Sequence, residues 1–228
     1  MIRILSDFVS LIYPKICMAC NQCLYDSESC ICTFCRYHLP QTNYHLQKDN
    51  PIIRNFWGRV NVHAASSCYY FNKGGKVQRL LHRLKYEGCE DIGKEIGNLY
   101  GNKLKESDLF NDIDIVIPVP LHPKKMKKRG YNQSELFGDG IASSMQIKLE
   151  TKIIKRVAET SSQTKKSRFE RWVNVSDYFR VTDPLLLKNK HLLLVDDVIT
   201  TGATLEACIQ SILNVVDAKI SVATIACA

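Results

Sequence analysis

Short apolar runs alternate along the chain with segments in which apolar residues recur every three or four positions. The apolar runs predict β-strands over residues 60–71, 113–117, 153–154, 192–195 and 220–227. The helical spacing predicts helices over residues 77–84, 91–104, 134–145 and 203–215. Strands that alternate with helices predict an α/β fold with an open, mostly parallel sheet. Ligands of such sheets bind at the carboxyl ends of the strands, so the loops at that edge are the first candidates for function.

The first 13 residues carry a weaker apolar pattern. Their apolar side chains share one helical face, which predicts a short amphipathic helix packed on the body of the protein, with a membrane-surface anchor as the alternative. Polar residues interrupt the stretch and no small-residue cleavage site follows it, so we expect no signal peptide. No apolar run reaches the roughly 18 residues of a membrane span, and we expect a cytoplasmic protein.

Six of the ten cysteines lie between residues 17 and 35. Cys17 and Cys20 form one C-x2-C pair, and Cys32 and Cys35 form a second, which is the spacing of a tetrahedral thiolate site for zinc or, less often, an iron–sulfur cluster. Four cysteine ligands leave no open position, so the expected role is structural. The roles of Cys23, Cys30 and His38 stay open, and a disulfide or free thiols are the alternative. Scattered single cysteines elsewhere favour a reducing compartment.

The charge of the chain is concentrated in one window. The 228 residues carry 31 Lys and Arg against 23 Asp and Glu, a net charge of +8. Residues 122–171 hold 13 of the basic and 5 of the acidic residues, so this window alone accounts for the excess. A local excess of this kind indicates an anionic ligand at one place rather than a generally basic protein.

The segment from Leu192 to Thr204 is the most informative one for chemistry. An apolar strand is followed by two adjacent carboxylates, Asp196 and Asp197, and then by a Thr-Thr-Gly turn that opens a helix. Backbone amides at a helix start, threonine hydroxyls and a glycine together form a phosphate cradle. The carboxylates suit sugar hydroxyls or hydrated Mg²⁺. A sugar phosphate satisfies both halves, whereas a structural, Asp-rich turn is the alternative.

This segment resembles the phosphoribosyl pyrophosphate (PRPP) signature of type I phosphoribosyltransferases, and nearly the whole chain resembles the ComF (competence protein F) family. The further matching blocks are Tyr69-Tyr-Phe71 with Leu80-Leu-His-Arg-Leu-Lys-Tyr86, Val116-Ile-Pro-Val-Pro-Leu-His122 with Arg129-Gly-Tyr-Asn-Gln133, and Gln163 with Arg168, Arg171, Asn174 and Phe179. The resemblance implies an α/β, type I phosphoribosyltransferase-like fold with a small N-terminal four-cysteine zinc module. The expected division is residues 1–40 for the N-terminal helix and zinc module, 41–59 for a linker or covering segment without chemistry of its own, and 60–228 for the phosphoribosyltransferase-like domain.

The resemblance also implies a role for each matched residue. Asp196 and Asp197 would face the ribose hydroxyls and the Mg²⁺ of PRPP. The 5′-phosphate would be held by Thr200, Thr201, Gly202, Ala203 and Thr204. The pyrophosphate loop would be Val119, Pro120, Leu121 and His122. Residues 161–174 would form a hood over the site. The basic rim for phosphate or nucleic acid would comprise Arg129, Lys165, Lys166, Arg168 and Arg171.

Two functions follow from these residues and from the resemblance. The first is PRPP and Mg²⁺ binding in a protein of DNA uptake and natural transformation, with single-stranded DNA and other DNA-uptake proteins as partners. Basic loops on both sides of the site, with Tyr131, Phe169 or Trp172 available for stacking, fit a single strand. The alternative is an active phosphoribosyltransferase, in which Mg²⁺ and basic groups stabilise the departing pyrophosphate. No acceptor site and no general base are recognisable in the sequence.

Overall fold

A computed structural model describes residues 14–157 and 178–228. The predicted N-terminal helix and the predicted hood, with Lys165, Lys166, Arg168 and Arg171, lie outside the described residues. The strands are β1 (Ala64–Tyr70), β2 (Ile115–Pro118), β3 (Lys148–Leu149), β4 (Ile154–Arg156), β5 (Phe179–Val181), β6 (His191–Ile199) and β7 (Lys219–Cys227). The α-helices are α1 (Thr33–His38), α2 (Pro51–Arg54), α3 (Lys76–Tyr86), α4 (Asp91–Lys105), α5 (Pro123–Arg129), α6 (Gln133–Met145) and α7 (Ala203–Leu213). Within these ranges, no helix has the length and apolar content that crossing a membrane requires.

Five strands form the central sheet in the order β1-β7-β6-β2-β3, and every neighbouring pair is parallel. Parallel strands are covered on both faces, so the run Leu192–Val195 is apolar without interruption. Leu193 and Val195 pack on one face with α3, α4 and α6, whereas Leu192 and Leu194 pack on the other face with α7. The predicted α/β sheet is therefore confirmed.

Helices α4 and α6 approach each other so closely that their backbones touch. A Cβ atom on Gly97 would overlap the Phe137 carbonyl oxygen and lie 2.9 Å from the Gly140 Cα atom, and one on Gly140 would overlap the Lys94 carbonyl oxygen. These neighbours are backbone atoms, which move only if a whole helix moves. Glycine at these positions therefore sets the spacing between α4 and α6, and α6 in turn carries residues of the candidate site.

We expect Gly97→Ala to lower the free energy of unfolding by about 2 kcal/mol, because overpacking outweighs the gain in helix propensity. Asn98→Ala, on the exposed side of the same helix, is the matched control and should leave stability nearly unchanged. Urea unfolding of both variants measures the difference. Equal stability of the two would contradict the close backbone contact.

Several sequence predictions differ from the structure. Strand β1 begins at Ala64 rather than residue 60, and β6 continues past Val195 to Ile199, since its last residues pair with β7. The lysine-rich stretch after His122, which was expected to be a loop, is helix α5. The His122 side chain caps the start of this helix, and Gly130, in the left-handed conformation, ends it. The strand predicted at 153–154 is outside the parallel sheet, because β4 pairs antiparallel with β5 in a separate two-stranded sheet.

The cysteine-rich segment packs on α3 and α4. The Arg79 guanidinium donates to the Ala19 carbonyl at 2.9 Å, and that of Arg83 donates to the Met18 carbonyl at 3.0 Å. The Glu95 carboxylate forms an ion pair with Arg36 at 2.9 Å and accepts from the Cys30 amide at 3.0 Å. The segment shares one apolar core with α3, α4 and one face of the sheet.

Residues 41–59, which were predicted as a linker, contain a 3-10 turn at Tyr44–Leu46 and helix α2. The Asn50 side chain caps α2 and also donates to the Ala65 carbonyl of β1 at 2.9 Å. Ile52, Ile53 and Phe56 are buried in the core on the α7 face of the sheet. The segment is thus anchored along the sheet, and its carboxyl-terminal part reaches the loop before α7.

Candidate functional site

The adjacent carboxylates lie at the carboxyl end of β6. The Asp196 Oδ1 atom accepts two hydrogen bonds, from the Ser134 hydroxyl at 2.9 Å and from the Asp197 amide at 2.8 Å. Ser134 belongs to the first turn of α6, so this bond ties the end of β6 to that helix. Ser134 is absent from the sequence-predicted site, and a serine in a helix start gives no signal of its own.

Asp196 titrates near neutral pH. Burial raises the pKa of its carboxyl group from 3.8 to about 7, and the neighbouring Asp197 charge acts on this pKa in the same direction. The ionised form is therefore destabilised in the folded protein and would be favoured by a cation bound to both carboxylates. This behaviour is typical of paired carboxylates at functional sites.

Lys85 forms an ion pair with Asp197, with 2.8 Å between Nζ and Oδ2. Both side chains are largely buried, at 20% and 17% exposure, so solvent screens the pair only in part. Lys85 lies near the end of α3 and is 112 positions before its partner in the sequence, which explains why spacing did not reveal it. Tyr86, the residue after Lys85, is exposed, and the Arg129 guanidinium lies 5.3 Å above its ring. The same guanidinium donates to the Gln133 side chain at 2.7 Å.

The turn between β6 and α7 lines a half-open cavity of about 60 Å³. Its lining includes Asp196 and the predicted phosphate-loop residues Thr200, Thr201, Gly202, Ala203 and Thr204. Gly202 has φ of +77° and precedes the first residue of α7, so a side chain here would strain the backbone. Both threonines before it are exposed. The cavity has the size and the hydroxyl and amide lining that suit a single phosphate group.

The end of the 41–59 segment contacts this turn directly. The Asn55 side chain donates to the Thr200 carbonyl and the Arg59 guanidinium donates to the Thr201 carbonyl, each at 3.4 Å. Arg59 also pairs with Glu206 of α7 at 3.0 Å. Asn55 and Arg59 therefore fix the backbone carbonyls of the turn through side-chain hydrogen bonds. No sequence pattern indicates them, because they are separated from the turn by most of the chain.

The predicted pyrophosphate loop, Val119, Pro120, Leu121 and His122, follows β2, the neighbour of β6. The Val119 amide donates to the Val195 carbonyl at 2.9 Å, and its carbonyl accepts from the Asn132 side chain at 3.0 Å. Asn132 also caps α6 by accepting from the Ser134 amide at 3.1 Å. Asn132 and Ser134 therefore connect this loop to Asp196, and the structure brings both predicted loops to one edge of the sheet.

Helix α5 continues from this loop and presents a basic surface. Its four lysines are Lys124, Lys125, Lys127 and Lys128, and all four side chains are exposed. Because α5 buries none of its residues, its side chains remain available to a ligand in solution. The basic excess of the sequence is thus partly located beside the candidate site.

The four predicted metal ligands form a second cluster. The Sγ atoms of Cys17, Cys20, Cys32 and Cys35 all lie within 4.8 Å of one another, and those of Cys20 and Cys32 are 3.7 Å apart. Zinc–sulfur bonds of about 2.3 Å in a tetrahedron separate the sulfurs by about 3.8 Å, so this donor set fits zinc. Burial raises the pKa of Cys35, whereas for Cys17 hydrogen bonds outweigh burial and lower the pKa to about 7. Cys23, Cys30 and His38 are not members of the cluster among the described residues.

We expect Asp196→Asn to raise stability, because asparagine keeps the Oδ1 acceptor and removes a charge that the fold disfavours. A folded-state pKa of about 7 against 3.8 means that the parent protein loses stability as pH rises from about 4 to about 7. The advantage of the variant should therefore grow over this interval and stay constant above pH 7. Thermal unfolding at about pH 5, 6 and 8 without added Mg²⁺ measures it. A variant that is less stable than the parent at the highest of these pH values would contradict the raised pKa.

Comparison with known proteins identifies homologues of this chain. A family model described as a phosphoribosyl transferase domain matches residues 132–228. The chain is 26% identical over 208 residues to the DNA utilization protein YhgH of Escherichia coli O6:H1, covering 87% of this chain and 84% of the relative. It is 24% identical over 202 residues to the competence protein ComFC of Bacillus subtilis, covering 88% and 78%. Competence protein F of Haemophilus influenzae is 30% identical over 133 residues, or 55% and 57%. The chain is therefore homologous to these DNA utilization and competence proteins.

The chain has a type I phosphoribosyltransferase fold with a parallel five-stranded sheet, joined to an N-terminal cysteine cluster. The predicted resemblance to competence protein F and the predicted fold class are thereby confirmed. The matched residues 132–228 include both Asp196 and the turn before α7. The roles of individual residues toward PRPP, Mg²⁺ and DNA stay predictions.

Proposed function

We propose that this protein is a member of the ComF family, binds PRPP together with Mg²⁺ and acts in DNA uptake by handling single-stranded DNA. The observation that carries the proposal is the convergence of two carboxylates, a phosphate-sized turn and a second loop at one edge of a parallel sheet. PRPP offers one group for each part. Its 5′-phosphate would lie in the turn, its ribose at the carboxylates and its pyrophosphate at the second loop.

The residues present fit a bound Mg²⁺. Carboxylate oxygens are the ligands that this ion prefers, and Asp196 and Asp197 supply them at adjacent positions. When bound with PRPP, the ion would neutralise the two carboxylates and the phosphate charges. Lys85 pairs with Asp197, and a divalent ion at that carboxylate would release the ammonium group toward the ligand. Asn132 and Ser134 orient the second loop and Asp196 toward the same ligand.

The DNA part of the proposal rests on charge and on the relatives. The relatives are named for DNA utilization and competence. The exposed lysines of α5, together with the Arg129 guanidinium above the Tyr86 ring, combine phosphate contacts with an exposed aromatic face. Single-strand binding sites combine these two elements. The strand would run across α5, next to the proposed PRPP site.

The test is a titration with a single-stranded oligonucleotide at several salt concentrations, with and without PRPP and Mg²⁺. We expect affinity to fall as salt rises, with a logarithmic slope that shrinks by about 0.7 for each lysine contact removed. The test variant replaces the four lysines of α5 with alanine. The control replaces an equal number of exposed lysines elsewhere, namely Lys48, Lys105, Lys152 and Lys188. Absence of binding at low salt, or equal slopes for the two variants, would refute the DNA role of α5.

A further inference from the structure

A groove of about 440 Å³ lies beside the turn before α7. The groove is lined by the carboxyl ends of β1, β6 and β7 and by the 41–59 segment. In the sheet order, β7 and β1 lie on one side of β6 and β2 lies on the other. The groove is therefore on the side of the turn away from the Val119–His122 loop, and it is not the space in which PRPP would extend.

The walls of the groove are mostly apolar and include three aromatic residues and a few polar ones. The Tyr70 hydroxyl donates to that of Tyr44 at 2.9 Å, and the two rings meet edge to face at 5.7 Å between centroids. Tyr70 is 40% exposed, and Phe71 lines the groove next to it. Asn55 and Asn72 are polar residues of the lining. Apolar walls with a small number of amides and hydroxyls are typical of small-molecule sites of this volume, and aromatic faces stack on any nucleobase.

The groove adjoins the phosphate-sized cavity. Ile199 and Thr200 line both, and Asn55, which lines the groove, donates to the Thr200 carbonyl. A ligand with its phosphate in the turn and its planar ring in the groove would therefore occupy two adjoining sites across Ile199 and Thr200. A nucleotide has this shape and chemistry, since its phosphate and base are joined by one sugar.

We propose that the groove binds the base of a nucleoside 5′-monophosphate unit whose phosphate occupies the Thr200–Thr204 turn. The inference rests on the proposed function of that turn as a phosphate site. The unit is either a free nucleotide or the 5′-phosphorylated end of a DNA strand. Its sugar points toward β7 and β1, whereas the ribose of PRPP points toward Asp196, so the two ligands share the phosphate position and exclude each other.

The test measures binding of dAMP, dTMP and PRPP with Mg²⁺ to the full chain, and competition between nucleotide and PRPP. We expect both nucleotides to displace PRPP. Tyr70→Ala should weaken both nucleotides about tenfold or more by removing the stacking face, while PRPP affinity is unchanged. Tyr70→Phe keeps the ring and is the matched control. The competition in the parent protein tests the proposal even if Tyr70→Ala does not fold.

The possible outcomes separate this inference from the proposed function. PRPP binding without nucleotide competition, or nucleotide binding that Tyr70→Ala leaves unchanged, overturns the base groove alone. Tyr70-dependent nucleotide binding without PRPP binding supports the groove and refutes the PRPP proposal. Absence of both refutes both. An oligonucleotide with a 5′-phosphate, compared with its 5′-hydroxyl form and with dTMP, shows whether the strand end or the free nucleotide is the better ligand.

Discussion

Replacing both carboxylates, in the variant Asp196→Asn with Asp197→Asn, should reduce PRPP affinity at least about 100-fold. Each lost contact to a charged group is worth about 1.5–3 kcal/mol, and the pair would also hold the Mg²⁺ that PRPP brings. Asparagine keeps the Oδ1 acceptor that receives the Ser134 hydroxyl and the Asp197 amide, so the edge of the sheet should keep its shape. Calorimetric titration of PRPP with Mg²⁺ measures the loss.

The matched control is Asp183→Asn with Asp217→Asn, which changes the net charge equally at two positions away from this edge. It should bind PRPP as the parent protein does. Unchanged PRPP affinity in the Asp196 and Asp197 variant would refute the site, while equal losses in both double variants would indicate only a long-range effect of charge.

The parts of this site that the sequence predicted are local. Asp196 and the Thr-Thr-Gly turn follow an apolar strand directly, and a loop between strand and helix at the carboxyl edge is a binding position in any parallel sheet. The cysteine pairs are likewise recognisable because each pair lies within four residues. Hydrophobic periodicity did not predict helix α5, because its sequence has no apolar face. The bounds of this helix are instead set by the His122 cap and by Gly130.

The parts that the sequence did not predict are contacts between distant segments. Lys85 reaches Asp197 only because α3 packs along the sheet, and Asn55 and Arg59 reach the turn only because the preceding segment is anchored through Phe56. The extension of β6 to Ile199 likewise depends on its pairing with β7. Such contacts follow from the order of the strands, which periodicity alone does not determine.

The cysteine cluster should hold one zinc ion per chain, and Cys35→Ser should abolish its binding. Metal binding contributes to folding in sites of this type, and Cys35 is fully buried in the core that the cysteine-rich segment shares with α3 and α4. Loss of the metal should therefore affect more than the segment itself. We expect the unfolding midpoint to fall by about 10 °C, which corresponds to roughly 3–5 kcal/mol for a chain of this size.

Cys23→Ser is the matched control, since Cys23 is exposed and outside the cluster. It should keep the zinc and the unfolding midpoint of the parent protein. Hydrogen exchange in Cys35→Ser should increase first in residues 17–38 and in the helix faces beneath them, while the central strands β6 and β7 stay protected because their other face is packed on α7. Zinc analysis that finds one ion in Cys35→Ser, or none in Cys23→Ser, would refute this ligand set. Loss of protection throughout β6 and β7 would instead show that the sheet cannot fold without the metal.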